Sequence, residues 1–293
     1  MESIITRTME LHHFTISGIG KKQNYCVFLQ KLLSEAVADG VPVLKLGGKS
    51  HVLSEVVEAR DGEEYSYMRF YSYKTGSRPD IITITSQHIE ESPLSVDQTF
   101  IEWTHALIIS VQHVWYLGIE KNSQGIFPKS IEKYLQWLCD KYINTDGKDV
   151  SISVEPVPSA EFIERLKALS SVKKATIRYA RPNPCDWDEL ESSILQGADE
   201  SYATKAKVEM SSGKNAGLSQ TSGIVKEIRD KYEQHTLGYA SIEGVTAEGK
   251  NDMFNTSKLI TKDTVSTEVD DNGRIIKSSL LRCLKNFALR MLK

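Results

Sequence analysis

The sequence predicts an α+β chain of two lobes, with an antiparallel-sheet lobe carrying two helices over residues 1–146 and a ferredoxin-like or related open-sheet lobe over residues 147–293. Three observations predict it. The 293 residues exceed the length at which single cores stop growing, about 250. Short period-two runs separated by Gly, Asp and Pro crowd the first half. After the polar break Asn144-Thr145-Asp146-Gly147-Lys148, strands and helices alternate.

Phe14–Ser17 opens as a short strand. From Asn24 to Val37, the residues Val27, Leu29, Leu32, Leu33 and Ala36 recur at helical spacing, and Asp39-Gly40 stops the helix. Val43–Leu46, His51–Ala59, Glu64–Lys74 and Ile81–Thr85 follow as strands. Ser92-Pro93 marks a loop, and Phe100–Ile109 and Val114–Glu120 are two more strands. Pro128 opens a helix to Tyr142, since proline suits a first helical turn. Its apolar face is Ile131, Leu135, Leu138 and Tyr142.

In the second lobe Val150–Val157 reads as a strand, Ala160–Leu169 as a helix and Ala175–Ala180 as a strand. Asp186 and Glu189 are spaced as a capping pair for a helix over Trp187–Leu195. Ala203–Met210 is a strand, Ser211–Ser219 a Gly/Ser/Asn loop, Ile224–Tyr232 a helix and Tyr239–Val245 a strand. Ser257–Ile260 and Thr264–Val269 are expected to pair as a weak hairpin. Arg274–Leu292 is a terminal helix with Ile276, Leu280, Cys283, Phe287 and Met291 as its buried stripe.

Composition narrows the function classes. The net charge of −3 advertises neither nucleic acid nor membrane, so local charge must carry any such argument. MESIITRTMELHH has an acid at position 2 and no apolar core, unlike a signal peptide. The longest apolar stretch, Ala106–Leu117, is broken by Ser110, Gln112 and His113, well short of the roughly 18 residues of a membrane span. Direct membrane insertion is therefore not expected. Cys26, Cys139, Cys185 and Cys283 form no CxxC pair. Cys26, Cys139 and Cys283 lie on apolar faces of expected helices, so reduced core thiols in a cytoplasmic protein are expected there.

No residue constellation announces catalysis. His12-His13 is the one histidine pair, and neighbours on a strand point to opposite sides, so no metal site is expected there. Cys185 precedes a helix start, where a thiol pKa can fall, but no protease-like neighbourhood surrounds it. Gly48-Lys49-Ser50 matches the tail of a phosphate loop, yet Val43 stands where its first glycine belongs and a strand follows in place of a helix. Asp80, Glu90 and Glu91 do not assemble the convergent carboxylates of a nuclease, and Glu209 shares a strand face with Lys205 and Lys207. No cofactor is called for.

Two surfaces suit nucleic acid. Period two places Tyr65, Tyr67, Arg69, Tyr71 and Tyr73 on one strand face, a row able to stack bases or meet a protein partner. In the second lobe, Lys174, Thr176 and Arg178 face away from Ala175, Ile177 and Tyr179, as Lys205 and Lys207 face away from Ala206, Val208 and Met210. If the two strands share a sheet, one side is apolar and the other basic. The terminal segment adds Arg274, Lys277, Arg282, Lys285, Arg290 and Lys293, with no acid after Asp271. The bland readings are an aromatic ladder packed under a helix and a solvated helix face.

Val27-Phe28-Leu29 with Leu32-Leu33, Ile152-Ser153-Val154-Glu155-Pro156, the two lobes, the late hairpin and the basic terminal helix together resemble the RexA-like phage-exclusion proteins of lambdoid prophages. The likeness covers most of the chain and transfers no contact residue. It implies a dimeric, DNA-binding protein of abortive infection that works with a membrane partner encoded beside it. Effectors carried beside retron reverse transcriptases share the size and pattern. The expectation is a cytoplasmic, homodimeric effector of a bacterial antiphage or toxin–antitoxin system that binds DNA or RNA without catalysis. Two alternatives stay open: an enzymatic toxin, such as a divergent metal-dependent nuclease, and an adaptor for a protein partner.

Overall fold

The computed structural model describes residues 3–19, 24–40, 42–58, 65–76, 81–83, 85, 88–95, 97–144, 149–180, 205–214 and 216–292. Its first strand, β1 (Ser3–Ser17), is 15 residues long. The expected strand began only at Phe14, because Thr6, Arg7, Thr8 and Glu10 dilute the apolar signal ahead of it. The alternation is present but changes sides at His12-His13. Met9 and Leu11 enter one core, and Phe14 and Ile16 enter another.

One edge of β1 pairs with β8 (Val114–Glu120) along Met9–His13. The other takes β14 (Lys262–Val269) along Ser3–Glu10 and β9 (Ser151–Pro156) along His12–Ser17. Beyond β8 come β7 (Ile101–Val111), β4 (Tyr65–Tyr73), β3 (Lys49–Glu58) and β2 (Val43–Leu46), completing an eight-stranded sheet in which each described pairing is antiparallel. A separate hairpin joins β5 (Ile81–Thr83) to β6 (His88–Glu90).

Helices cover both faces of this sheet. In α1 (Tyr25–Ala38) the Asn24 side chain caps the start by accepting the Cys26 amide at 2.8 Å. In α2 (Pro128–Tyr142) the residues Ile131, Tyr134, Leu135, Leu138 and Cys139 form one buried stripe at helical spacing. Both pack on Met68, Phe70, Ala106, Ile108, Leu117 and Ile119. The terminal helix, α5 (Lys277–Met291), sits on the opposite face, with Leu280, Leu284, Phe287 and Ala288 against Met9, Leu11, Leu107 and Tyr116.

A second antiparallel sheet has the order β11 (Lys205–Ser211), β10 (Leu169–Ala180), β12 (Ala240–Thr246), β13 (Asn251–Asn255). The helices α3 (Ala160–Ala168) and α4 (Gly223–Glu233) bury Phe162, Leu166, Ile224, Val225 and Ile228 against Ala175, Ile177, Ile242 and Phe254. The molecule is thus a mixed α+β fold with two antiparallel sheets.

The structure departs from expectation in two places. Residues beyond position 146 complete the large sheet: β9 and β14 hydrogen-bond to β1, and α5 packs on it. A ferredoxin-like unit would keep β9 beside β10–β12. Here the apolar side of β9, Ile152 and Val154, joins the core under α2 instead. The hairpin expected between Ser257–Ile260 and Thr264–Val269 does not form. Its first half is a turn ending in a single bridge to Pro158, and its second half pairs with β1. The expected helix at Trp187–Leu195, with Cys185, lies outside the described residues. No helix among the described residues is long and apolar enough to cross a membrane.

A buried tyrosine ties α2 to the sheet. The Tyr134 hydroxyl donates to the Pro42 carbonyl at 2.6 Å and accepts the Leu53 amide at 3.0 Å. Tyr134→Phe removes both partners from buried backbone groups and should cost about 1–3 kcal/mol. A lowered urea midpoint with an unchanged denaturant slope is the expected readout.

Candidate nucleic-acid interface

The strands β10 and β11 share a sheet, with Arg178 opposite Lys207, Thr176 opposite Glu209 and Ala180 opposite Lys205. The pleat turns Ala175, Ile177 and Tyr179 toward α3 and α4. Among the described residues no helix packs on the other side. There Lys174, Arg178 and Lys207 surround a shallow concavity of about 240 Å³ that also includes Tyr239, Glu243 and Met253. The Arg178 guanidinium lies 4.1 Å from the centre of the Tyr239 ring.

This face is less basic than the sequence suggested. Glu209 stands between two lysines, 2.6 Å from Lys174 Nζ and 2.9 Å from Lys207 Nζ. Their hydrogen bonds hold its carboxyl down at about 2 and push the Lys174 amine up. Glu243 adds a second acid opposite Lys174. The side chain of Lys205 lies outside the described residues.

The tyrosine row and the terminal helix, read separately from sequence, meet. Helix α5 lies over the end of β4 that carries Tyr65 and Tyr67. Lys285 Nζ sits 4.6 Å from the Tyr65 ring centre, and Lys277 Nζ sits 4.8 Å from that of Tyr67. Lys277 also pairs with Glu55, and Arg290 pairs with Asp263. Of the terminal cations singled out, Arg274, Arg282 and Arg290 are exposed, the last paired with Asp263. Tyr67 is fully buried, so it stacks on no ligand. Among the described residues its hydroxyl has no hydrogen-bond partner, and burial pushes its pKa up.

Beyond the N-terminus of α5 the sheet face stays uncovered by described helices. A row of ionic side chains crosses four strands there, with Glu55 opposite Arg69, Arg69 opposite His105 and His105 opposite Glu120. His105 Nδ1 lies 2.5 Å from Glu120, and the same oxygen accepts the His105 amide at 2.8 Å. Next to this row Tyr71, Tyr73 and Trp103 are half-buried. Arg69 stacks 4.2 Å over Trp103, and Tyr71 meets both Trp103 and Tyr73. Trp103, His105 and Tyr239 escaped the sequence reading. The signal that would have found the first two is the pairing of β7 with β4, which sets Trp103 opposite Tyr71. Among the described residues no three His, Cys, Asp or Glu side chains group as metal ligands.

The family model described as a domain of unknown function, DUF4747, matches residues 20–282. The chain belongs to this family. No curated protein matches it. In this DUF4747 chain the match covers the small sheet, the large sheet apart from β1, and the start of α5.

The adjacent histidines of β1 are a second titratable pair, His12 buried and His13 half-buried. His13 Nε2–H donates to the Leu237 carbonyl at 3.1 Å, and the ring lies 5.2 Å from that of Tyr116. Burial pushes His13 down to about 4, and it lowers His12 as well. The unfolded chain protonates these rings near their ordinary value, about 6.5, so between those limits it binds more protons than the folded chain. Stability should therefore fall as pH drops from 6.5 to 4, by about 2 kcal/mol for His13, whose ring edge water still reaches. Urea midpoints across that range should decline, and His13→Gln should flatten the decline.

Proposed function

We propose that this chain is a nucleic-acid-binding effector that acts by binding rather than catalysis, and that the open face of the small sheet is its contact. In this reading the small sheet with α3 and α4 is a lobe of its own, carried by the large sheet. The observation that supports it is a four-stranded antiparallel sheet whose described helices lie on one side only. The other side bears Lys174, Arg178, Lys207 and Tyr239 around one concavity. Single-stranded nucleic acid suits such a surface. Bases lie flat on the pleat, Tyr239 offers a stacking plane, and Arg178 and the lysines meet phosphates. A role in bacterial antiviral defence rests on the resemblance to RexA-like proteins and not on the sheet.

The patch of half-buried Tyr71, Tyr73 and Trp103 with exposed Ile101 favours a second reading, a protein-partner surface, because aromatic rings with a stacked arginine suit interface cores. Tyr67 takes no part, being buried under Lys277.

Fluorescence anisotropy with labelled single-stranded RNA and DNA at two salt concentrations tests the first reading. Arg178→Gln with Lys207→Gln should weaken binding about tenfold or more and reduce the salt slope by about 1.4, two single-strand phosphate contacts. Binding that ignores salt, or no binding by the folded chain, would remove the proposal. Glu209→Gln has the opposite expected sign. It releases Lys174 and Lys207 and should tighten binding several-fold at low salt, an outcome a passive solvated face would not give. For the second reading, Tyr71→Ala with Tyr73→Ala should break a co-purifying complex while circular dichroism stays unchanged, and an intact complex would rule it out.

A further inference from the structure

Where the two sheets adjoin, a cavity of about 480 Å³ opens on the opposite side of the small sheet from the proposed nucleic-acid face. This lies within the range of small-molecule sites, about 300–1,000 Å³. Strands and helices of both sheets build it. His13 comes from β1, Tyr232 and His235 from the end of α4, Lys258 from the segment between β13 and β14, Lys262 from the start of β14, and the last wall is the start of α3.

The charge of the lining is one-sided. Lys258 and Lys262 are exposed, and neither has an ion pair among the described residues. Glu161 is the one carboxylate in the lining. At the start of α3 the Ser159 side chain makes no capping bond. The amides of Ala160 and Glu161 donate to no group among the described residues, and a helix start favours negative charge. The lining also has an apolar part, in which Val157, Leu237 and Ile260 are buried. Planar rings border it, Tyr232 half-buried and His13 held by its bond to Leu237.

His235 adds an independent observation. It has φ of +55°, at the end of a helix where glycine is the comfortable residue. The chain holds an imidazole at this lining position in spite of its backbone preference.

We infer that this cavity binds a small phosphorylated molecule with a planar ring, of mononucleotide size. The phosphate meets Lys258, Lys262 and the open amides of α3, and the ring lies against Tyr232 and His235. The site is separate from the proposed polynucleotide face, so either can fail without the other.

The test uses the full chain and four probes, AMP, GMP, CMP and UMP, with adenosine and inorganic phosphate as partial ligands. Histidine ring resonances and titration calorimetry are the readouts. At least one nucleotide should shift the His13 and His235 resonances and bind at least tenfold more tightly than phosphate or adenosine. Lys258→Gln with Lys262→Gln should weaken that nucleotide tenfold or more, leaving the fold and oligonucleotide binding unchanged. His235→Gly should keep or raise the melting temperature while weakening the nucleotide, a split that a purely structural histidine would not give. No shift with any nucleotide at millimolar concentration would overturn the inference. So would nucleotide binding that survives the double lysine change, or phosphate binding as tightly as the nucleotides.

Discussion

The hydrogen-bond ladder of β1 holds the molecule together. One edge of that strand is shared between β14 and β9, and the other is taken by β8, so backbone groups from three distant parts of the chain close on the same fifteen residues. The change of side at His12-His13 lets the strand serve two cores. Its first half feeds the core beneath α5, and its second half the core beneath α1 and α2. The histidines sit where that change occurs and where the small sheet abuts, which is why His13 bonds to Leu237.

Electrostatics follow from this frame. By packing α5 on the β4 face, the fold brings lysines over tyrosines and sets Lys277 against Glu55. Charges that looked available for a partner are thereby partly used within the chain. Exposed pairs of this kind add little stability, typically under about 1 kcal/mol, so their consequence lies in what they leave uncovered. The aromatic patch around Trp103 and the outer face of the small sheet keep stacked arginines next to half-exposed rings.

Much of the local structure was legible in the sequence, since pattern and turn chemistry act locally. Pro128 and the stripe from Ile131 to Leu138 placed α2, Asn24 and Asp39 bracketed α1, and period two separated the faces of β4, β10 and β11. Pairing was not legible. Val265 and Thr267 carry a pattern that suits a hairpin neighbour as well as a strand more than two hundred residues away, and the ladder chose β1. The same limit hid the candidate sites. Glu55, Arg69, His105 and Glu120 belong to four strands and become one row only through register. Glu209 looked like a single acid among lysines, yet its position across the pleat lets it hold two of them.

The placement of β14 beside β1 also bears on how the chain is made. Strand β1 leaves the ribosome long before β14 and must wait for it before its edge along Ser3–Glu10 is satisfied. Until β14 and α5 emerge, the nascent chain presents an open β edge and the bare apolar side of Met9, Leu11 and Leu107. Strand edges of that kind recruit other chains. Emergence of β14 and α5 is therefore also the moment at which the large sheet becomes safe from its neighbours.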